Sequence, residues 1–451
     1  MKRVRVRTQG RRGLDRLHRD VLAAMNEALQ AADPAGIVRK HLQLDGKLLH
    51  ADDLHFPLNK YRRILVIGGG KASGGMAEEV ERLLGKWITG GLIIVPDYLR
   101  TKFRNRRIRF HSATHPIPTH RGLEGVLKML ELVKDISRDD LVIVLVSGGG
   151  SALMPLPVHG VTLNDEARVT SLLLRSGASI EEINTVRKHL SQIKGGRLAE
   201  RLYPATVLTL IISDVVGDRI DSVASGPTSP DPTTYGDGEQ VLKKYQLWSQ
   251  IPKNPRRIII QGLKGLRAET PKPRNKIFKR VHNLIVGSNR ASCLAAAAAL
   301  RKAGYRTRVL SMQIAGEARE AGGILGSIAN DMHDNSPAAL VAGGETTVTV
   351  KGSGRGGRNQ ELALSAAVRI NGSEGVVVGS FATDGIEGQT DAAGAIVDGT
   401  TVKRGLKLRM DPGDYLKNND SYGYLSRLND LVVTGPTGTN VNDIMILASD
   451  R

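Results

Sequence analysis

The chain has 451 residues, 40% of them apolar and 24% charged, with a single cysteine and a net charge of +19. That length accommodates two or three domains, the lone cysteine excludes an internal disulfide framework and fits a reducing compartment, and no run approaches the ~20 apolar residues of a membrane span. The positive charge is confined to residues 1–20, 100–109 and 251–280, which net +6, +6 and +9 and leave the remainder at −2.

Aromatics make up only 4% and do not interleave the basic blocks, so these read as surface patches with incidental polyanion affinity and not as dedicated nucleic-acid recognition. Residues 1–13 read as a basic disordered extension on a cytoplasmic protein; a mitochondrial transit peptide is the less favoured alternative. Leu14, Leu17, Val21, Leu22, Met25 and Leu29 recur three and four apart and predict a helix that ends before Asp33-Pro34. Apolar strands then alternate with helices: "RILVIGGG", "GLIIVPD", "DLVIVLVSGGG" and "ATVLTLIISD". Between them lie helices after Lys71, after a Thr119 N-cap and, as one long element, around 180–202. Continuous Val/Ile/Leu strands separated by helices predict a doubly covered parallel sheet. A Pro- and Lys/Arg-rich stretch near 252–280 reads as a junction. The expected fold is therefore α/β with two domains, residues 14–280 and 281–451, the first a Rossmann-like doubly wound sheet and the second mixed and glycine-rich.

Chemistry is expected where strands end in glycine. "LVIGGGKASGG" places Gly68, Gly69, Gly70 and Lys71 between a strand and a helix. It is neither a Walker A loop nor a complete dinucleotide fingerprint, since Ala72 follows the lysine and Ser73 stands for the third glycine. Asp97, after the next strand, could serve as a ribose-binding acid, and a purely structural tight turn is an even alternative. "VLVSGGGSALM" repeats the pattern with Ser147, Gly148, Gly149, Gly150 and Ser151. A nucleophilic serine is conceivable there, but the G-x-S-x-G elbow is absent, so phosphate or carboxylate binding is preferred. Asp214 ends the "IISD" strand and suits Mg²⁺ beside phosphates, whereas Asp218 reads as a turn residue. In the second half, "GSGRGGRNQE" sets Arg355 and Arg358 before a helix, "FATDGIEGQTDAAGA" offers Asp384, Glu387 and Asp391, and "GPTGTNVND" offers Asn440 and Asp443. His115 could face a ligand or serve its loop. No histidine spacing suggests a transition-metal site, and Cys293, in an alanine-rich helix, reads as a packing residue.

Together, "VIGGGKAS", "THPIPTHRG", "SGGGSAL", "INTVRKHLSQIKGGRLA", "ISDVVGD…ASGPTSPDPTTY", "GGETTV", "GRGGRNQELAL", "ATDG…TDAAGA", "NNDSY" and "GPTGTNVND" resemble the class II glycerate 2-kinases, from about Arg19 to the C-terminus. The resemblance implies an N-terminal Rossmann-like domain and a C-terminal domain called MOFRL. It implies transfer of a phosphoryl group from ATP to the 2-hydroxyl of D-glycerate, with Mg²⁺, in a cleft between the domains. Carried onto this chain, Lys71 and Arg358 are the catalytic cations, and Asp214 joins them as candidate general base. Asp214, Asp384 and Asp391 are the candidate Mg²⁺ ligands, and Arg187, Glu345, Asn359 and Asn440 are assigned to the substrate cleft. This chain departs from the family pattern at Glu387 and Gln389, where the pattern has Asp and Pro. Partners are expected to be D-glycerate and ATP, without a membrane, and a homodimer is left open. Two rival readings stand beside the kinase: an NAD(P)H-dependent hydroxypyruvate reductase, which Asp97 would permit, and a polyanion-binding protein using the basic patches.

Overall fold

The computed structural model describes residues 6–8, 15–103, 106–332 and 336–450, and the chain divides into two compact units, 37–286 and 1–36 joined with 287–451.

The first unit is built on a six-stranded sheet. In spatial order its strands are Val281–Gly287, Thr206–Ile212, Asp140–Ser147, Arg63–Gly69, Gly90–Pro96 and Ile108–Ala113. Numbered along the chain from Arg63–Gly69, that order is 3-2-1-4-5-6 read from the Ile108–Ala113 edge, the doubly wound Rossmann arrangement. The inner pairings are all parallel. Every residue of Asp140–Ser147 and of Thr206–Ile212 is buried, which explains why these strands are apolar on both faces. The order reverses between Arg63–Gly69 and Asp140–Ser147, and the two triple-glycine turns leave from the carboxyl ends of those neighbouring strands. An antiparallel three-stranded meander, Leu42–Asp45, Leu48–Ala51 and Leu54–Pro57, completes the unit. Its four-residue strands are too short for alternation to stand out in the sequence.

The second unit carries a seven-stranded mixed sheet. Asp443–Ser449 lies at its centre, antiparallel to both Ala338–Thr347 and Val376–Ala382. Arg306–Glu317 adds in parallel to Ala338–Thr347. Helices cover this sheet: Met25, Cys293, Leu300 and Ile446 join one apolar cluster, and Leu325, Leu362, Ala366 and Leu447 another.

Several expectations change. The helix Arg16–Ala31 forms as read, with Asp15 capping it, but it packs in the second unit, its Val21 and Met25 lying over Gly379. The strand Val281–Gly287 belongs to the first sheet, so the change of unit falls near 287 and not 281. The stretch 252–280 is no junction: Lys253–Leu263 is a helix whose Ile258 and Ile259 are buried in the first unit. The long helix around 180–202 is two, Ile180–His189 and Arg197–Leu202. The break spans residues 190–196 and closes on Gly195 and Gly196, whose φ of +58° and +80° favour glycine. Within the basic leader, Arg7–Thr8 pairs antiparallel with Val432 and Val433, and Val6 is held by Asn26. The disorder expected for most of residues 1–13 lies outside the described residues. Cys293 is fully buried and its thiol is pushed up to about 12 by desolvation, as a packing residue requires.

Candidate active site

The first glycine turn is made by contact between strands. A Cβ on Gly68 would stand 2.1 Å from the Leu145 carbonyl oxygen, and one on Gly70 would stand 2.2 Å from Ser147 Oγ. Both residues also have positive φ, +136° and +149°, so only glycine fits. The backbone amides here are used internally: Gly70 donates to the Ile94 carbonyl, Lys71 to the Gly148 carbonyl and Ala72 to Ser147 Oγ. Ser147 therefore works as a structural brace, seconded by Ser73, and not as a ligand donor. The expectation that this turn offers a row of free amides is corrected; what it delivers is the Lys71 side chain.

The second turn is where groups converge. The alkyl stem of Lys71 and the ring of His115 both close on Gly149, whose Cβ position is 3.4 Å from Lys71 Cγ and 3.0 Å from His115 Nε2. On the other side, the Asp214 carboxylate lies against Gly148, where a Cβ would come within 2.0 Å of Oδ2. Gly149, at φ +80°, begins the short helix Gly150–Leu153, which no side chain caps. Ser151 is not poised as a nucleophile: it shares a 2.7 Å hydrogen bond with Ser225 Oγ, which in turn donates to Asn184 Oδ1 at 2.8 Å. Ser225 and its neighbour Ala224 have φ of +60° and +49°, a left-handed conformation that costs non-glycine residues about 1 kcal/mol or more each and gathers at ligand sites. Asp218, at φ +54°, is a turn residue as read. Asp97 is ion-paired to Arg121 at 3.3 Å, which leaves it a poorer ribose acceptor than the fingerprint reading required.

Arg187 sits one turn beyond Asn184 on the helix Ile180–His189. Its pKa is pulled down by burial, which the negative charge of Glu166 only partly offsets.

In the second unit the predicted residues come together in a different way. Arg358 begins the helix Arg358–Arg369 and donates to Asp443 through Nε at 2.6 Å and Nη2 at 2.9 Å, and to Glu345 through Nη1 at 2.7 Å. Burial opposes its charge, but Asp443 and Glu345 outweigh that and raise its pKa. The N-terminus of its helix is filled by Glu387. That carboxylate accepts from the Asn359 amide and side chain and from the Gln360 amide. Asn359 is spent inside the cluster, taking a further bond from Ser380. Burial, with Asp443 nearby, pushes Glu387 up to about 8, and burial pushes Asp443 up to about 6. Asn440 turns back on its own loop, accepting from the Asn442 amide. Asp391 is exposed and accepts from Tyr422, over which Arg355 stacks at 4.8 Å. Asp384 accepts from the Ile386 amide. Among the described residues no group of three His, Cys, Asp or Glu forms a ready-made metal cage, and no helix is long and apolar enough to cross a membrane. Asp214 beside a glycine turn still fits Mg²⁺, which commonly takes one protein carboxylate and completes its shell with phosphate oxygens and water.

Sequence reading singled out Lys71, Asp214, Arg358 and both turns, but missed Asn184, Ala224, Ser225 and the pairing of Glu387 with a helix end. The i, i+3 spacing of Asn184 and Arg187 was the available signal for the first of these.

A family described as a domain of unknown function (DUF4147) matches residues 20–260, and the MOFRL family matches 338–443. A D-glycerate 2-kinase of Thermotoga maritima is 45% identical over 85% of this chain and 90% of its own. A glycerate 2-kinase of Pyrococcus horikoshii is 41% identical over 94% and 96%. A chain from Agrobacterium vitis with a provisional hydroxypyruvate reductase name is 40% identical over 85% and 86%. The crystal structure of a Thermotoga maritima glycerate kinase superposes with a TM-score of 0.82 at 40% identity, covering 96% of this chain and 99% of that one. The chain belongs to the glycerate 2-kinase family with a C-terminal MOFRL domain, and it is a kinase.

Proposed function

We propose that this kinase transfers the γ-phosphoryl group of ATP to the 2-hydroxyl of D-glycerate, giving 2-phosphoglycerate. The observation that carries the reading is the convergence of Lys71, His115 and Asp214 on Gly148 and Gly149, at the topological switch point of a Rossmann-order sheet. Open α/β sheets bind ligands at that point. Phosphoryl transfer asks for positioning and charge neutralisation more than covalent chemistry, and a lysine and a carboxylate on a glycine turn supply both. When bound, Mg²⁺ would supply counter-charge to the transferring group, and Asp214 is the residue that would hold it. Lys71 would draw negative charge off the phosphate as it moves. The hydroxyl proton would pass to Asp214 or His115, the two groups flanking the turn. Arg358 of the second unit would contribute to the same reaction as Lys71, with the orientation of its guanidinium set by Asp443 and Glu345.

Incubating the purified chain with D-glycerate, ATP and Mg²⁺ in a coupled ADP assay tests this: D-glycerate-dependent ADP release is expected. NADH consumption with hydroxypyruvate and no ADP would favour the reductase instead. Less-than-additive losses in the Lys71→Ala, Arg358→Ala double variant would tie the two cations to one step. Fully additive losses would separate them.

A further inference from the structure

Three cations lie close together in the chain at residues 187–194, and two of them are matched. Lys188 Nζ reaches Asp221 at 3.2 Å and Asp231 at 3.4 Å, and Lys194 Nζ reaches Glu166 Oε1 at 2.8 Å. Arg187 makes no hydrogen bond or ion pair among the described residues, and its Nε is buried without an acceptor. The charges acting on it are Glu166, already taken by Lys194, so Glu166, Lys194 and Arg187 together leave one positive charge over. A second orphan sits on the same helix face: Asn184 is 2% exposed, and its Nδ2 has no acceptor among the described residues while its Oδ1 is fixed by Ser225. Buried donors without acceptors are rare in folded proteins, and here a guanidinium Nε and an amide nitrogen share that condition three residues apart on one helix. Ser225 connects this face to Ser151 of the second glycine turn, on whose Gly149 the side chains of Lys71 and His115 close. Unmatched donors together with a surplus positive charge suit an anionic partner.

We infer that Arg187, set in place by the helix face it shares with Asn184, binds the carboxylate of the acceptor substrate and so selects a 2-hydroxy acid over an uncharged polyol. The inference rests on the proposed kinase reading and assigns the carboxylate to a residue other than Lys71 or Arg358. A planar guanidinium forks onto a planar carboxylate through two parallel bonds, whereas Lys71, a point charge on the glycine turn, suits a phosphate. Arg358 has three of its five donors committed to Asp443 and Glu345, which leaves it poorly placed to take a carboxylate as well.

The test compares wild type, Arg187→Gln and Arg187→Lys by calorimetric titration with D-glycerate, glycerol and ATP, by steady-state kinetics and by melting. Loss of a charge-assisted bond predicts that R187Q weakens D-glycerate binding by about 30- to 100-fold. Binding of ATP should stay within about twofold, and glycerol should be handled no worse than by wild type. R187K should fall between, because it keeps the charge and loses the fork. R187Q should melt at or above the wild-type temperature without ligand, since an uncompensated charge has been removed; a residue that only holds the fold together would melt lower. Unchanged D-glycerate affinity in R187Q, or a loss confined to ATP, overturns the inference. Arg187-dependent D-glycerate binding without ADP release would retain it and sink the kinase reading instead.

Discussion

Arg187 and Arg358 are both partly buried arginines near glycine motifs, and their surroundings are opposite. Arg358 is gripped by Asp443 and Glu345 through three hydrogen bonds, and its pKa is raised despite burial. Among the described residues Arg187 has no acceptor, and burial pulls its pKa down. A guanidinium answered inside the protein orders its own neighbourhood; one left unanswered has its counter-charge arriving from outside. On that distinction the second unit's cluster is a prearranged scaffold, and the polar face beside the second glycine turn of the first unit is a receptor.

The sharpest way to break the contrast is Arg358→Met, which would leave the fully buried Asp443 without its cation. Removing one partner of such a cluster costs about 3–5 kcal/mol, so the melting temperature should drop by roughly 10 °C along with activity. A variant melting like wild type would show that the cluster is not the scaffold described. Lys71→Ala should separate from it by lowering kcat about 10²- to 10³-fold while shifting the melting temperature by less than about 2 °C. Near-normal turnover in that variant would remove the lysine from the reaction.

Glu387 gives a pH signature. It keeps its proton up to about pH 8 in the folded chain, against 4.5 for an ordinary glutamate. Between those values the native state binds the extra proton, so this contribution to stability is full below about 4.5 and is lost as pH rises through about 8. Glu387 alone should cost wild type at most about 1.4 kcal/mol of stability per pH unit across that window, with Asp443, raised to about 6, adding below that pH, and Glu387→Gln should flatten the slope in denaturant melts. An identical slope in both would contradict the buried, protonated carboxyl. The smallest effect is expected for Cys293→Ala, which should leave kcat/KM unchanged and cost about 1 kcal/mol of stability for the lost packing. Loss of turnover there would reinstate the thiol as functional.

Much of the first unit is legible in the sequence, because strands buried on both faces write continuous Val/Ile/Leu runs and end in glycine where the neighbouring strand crowds them, as at Gly68 against Leu145. The meander of residues 42–57 is not, since four-residue strands carry too little pattern. Nor is the docking of Arg16–Ala31 in the second unit, which depends on contacts with residues hundreds of positions away such as Gly379. At the site, residue types announced where charge would be but not how it is matched. "GGRNQE" shows an arginine before a helix, yet Glu387, far along the chain, fills that helix end. In "NTVRKH" the arginine and the lysine look alike, and only the positions of Asp221 and Asp231 reveal which of the two is already paired.

Phosphorus NMR of the wild-type reaction with D-glycerate, ATP and Mg²⁺ tests the central claim most directly. A phosphomonoester resonance that matches authentic 2-phosphoglycerate and grows with ADP is the predicted result. A spectrum in which ATP stays intact, or in which the new resonance matches the 3-phosphate, would contradict it.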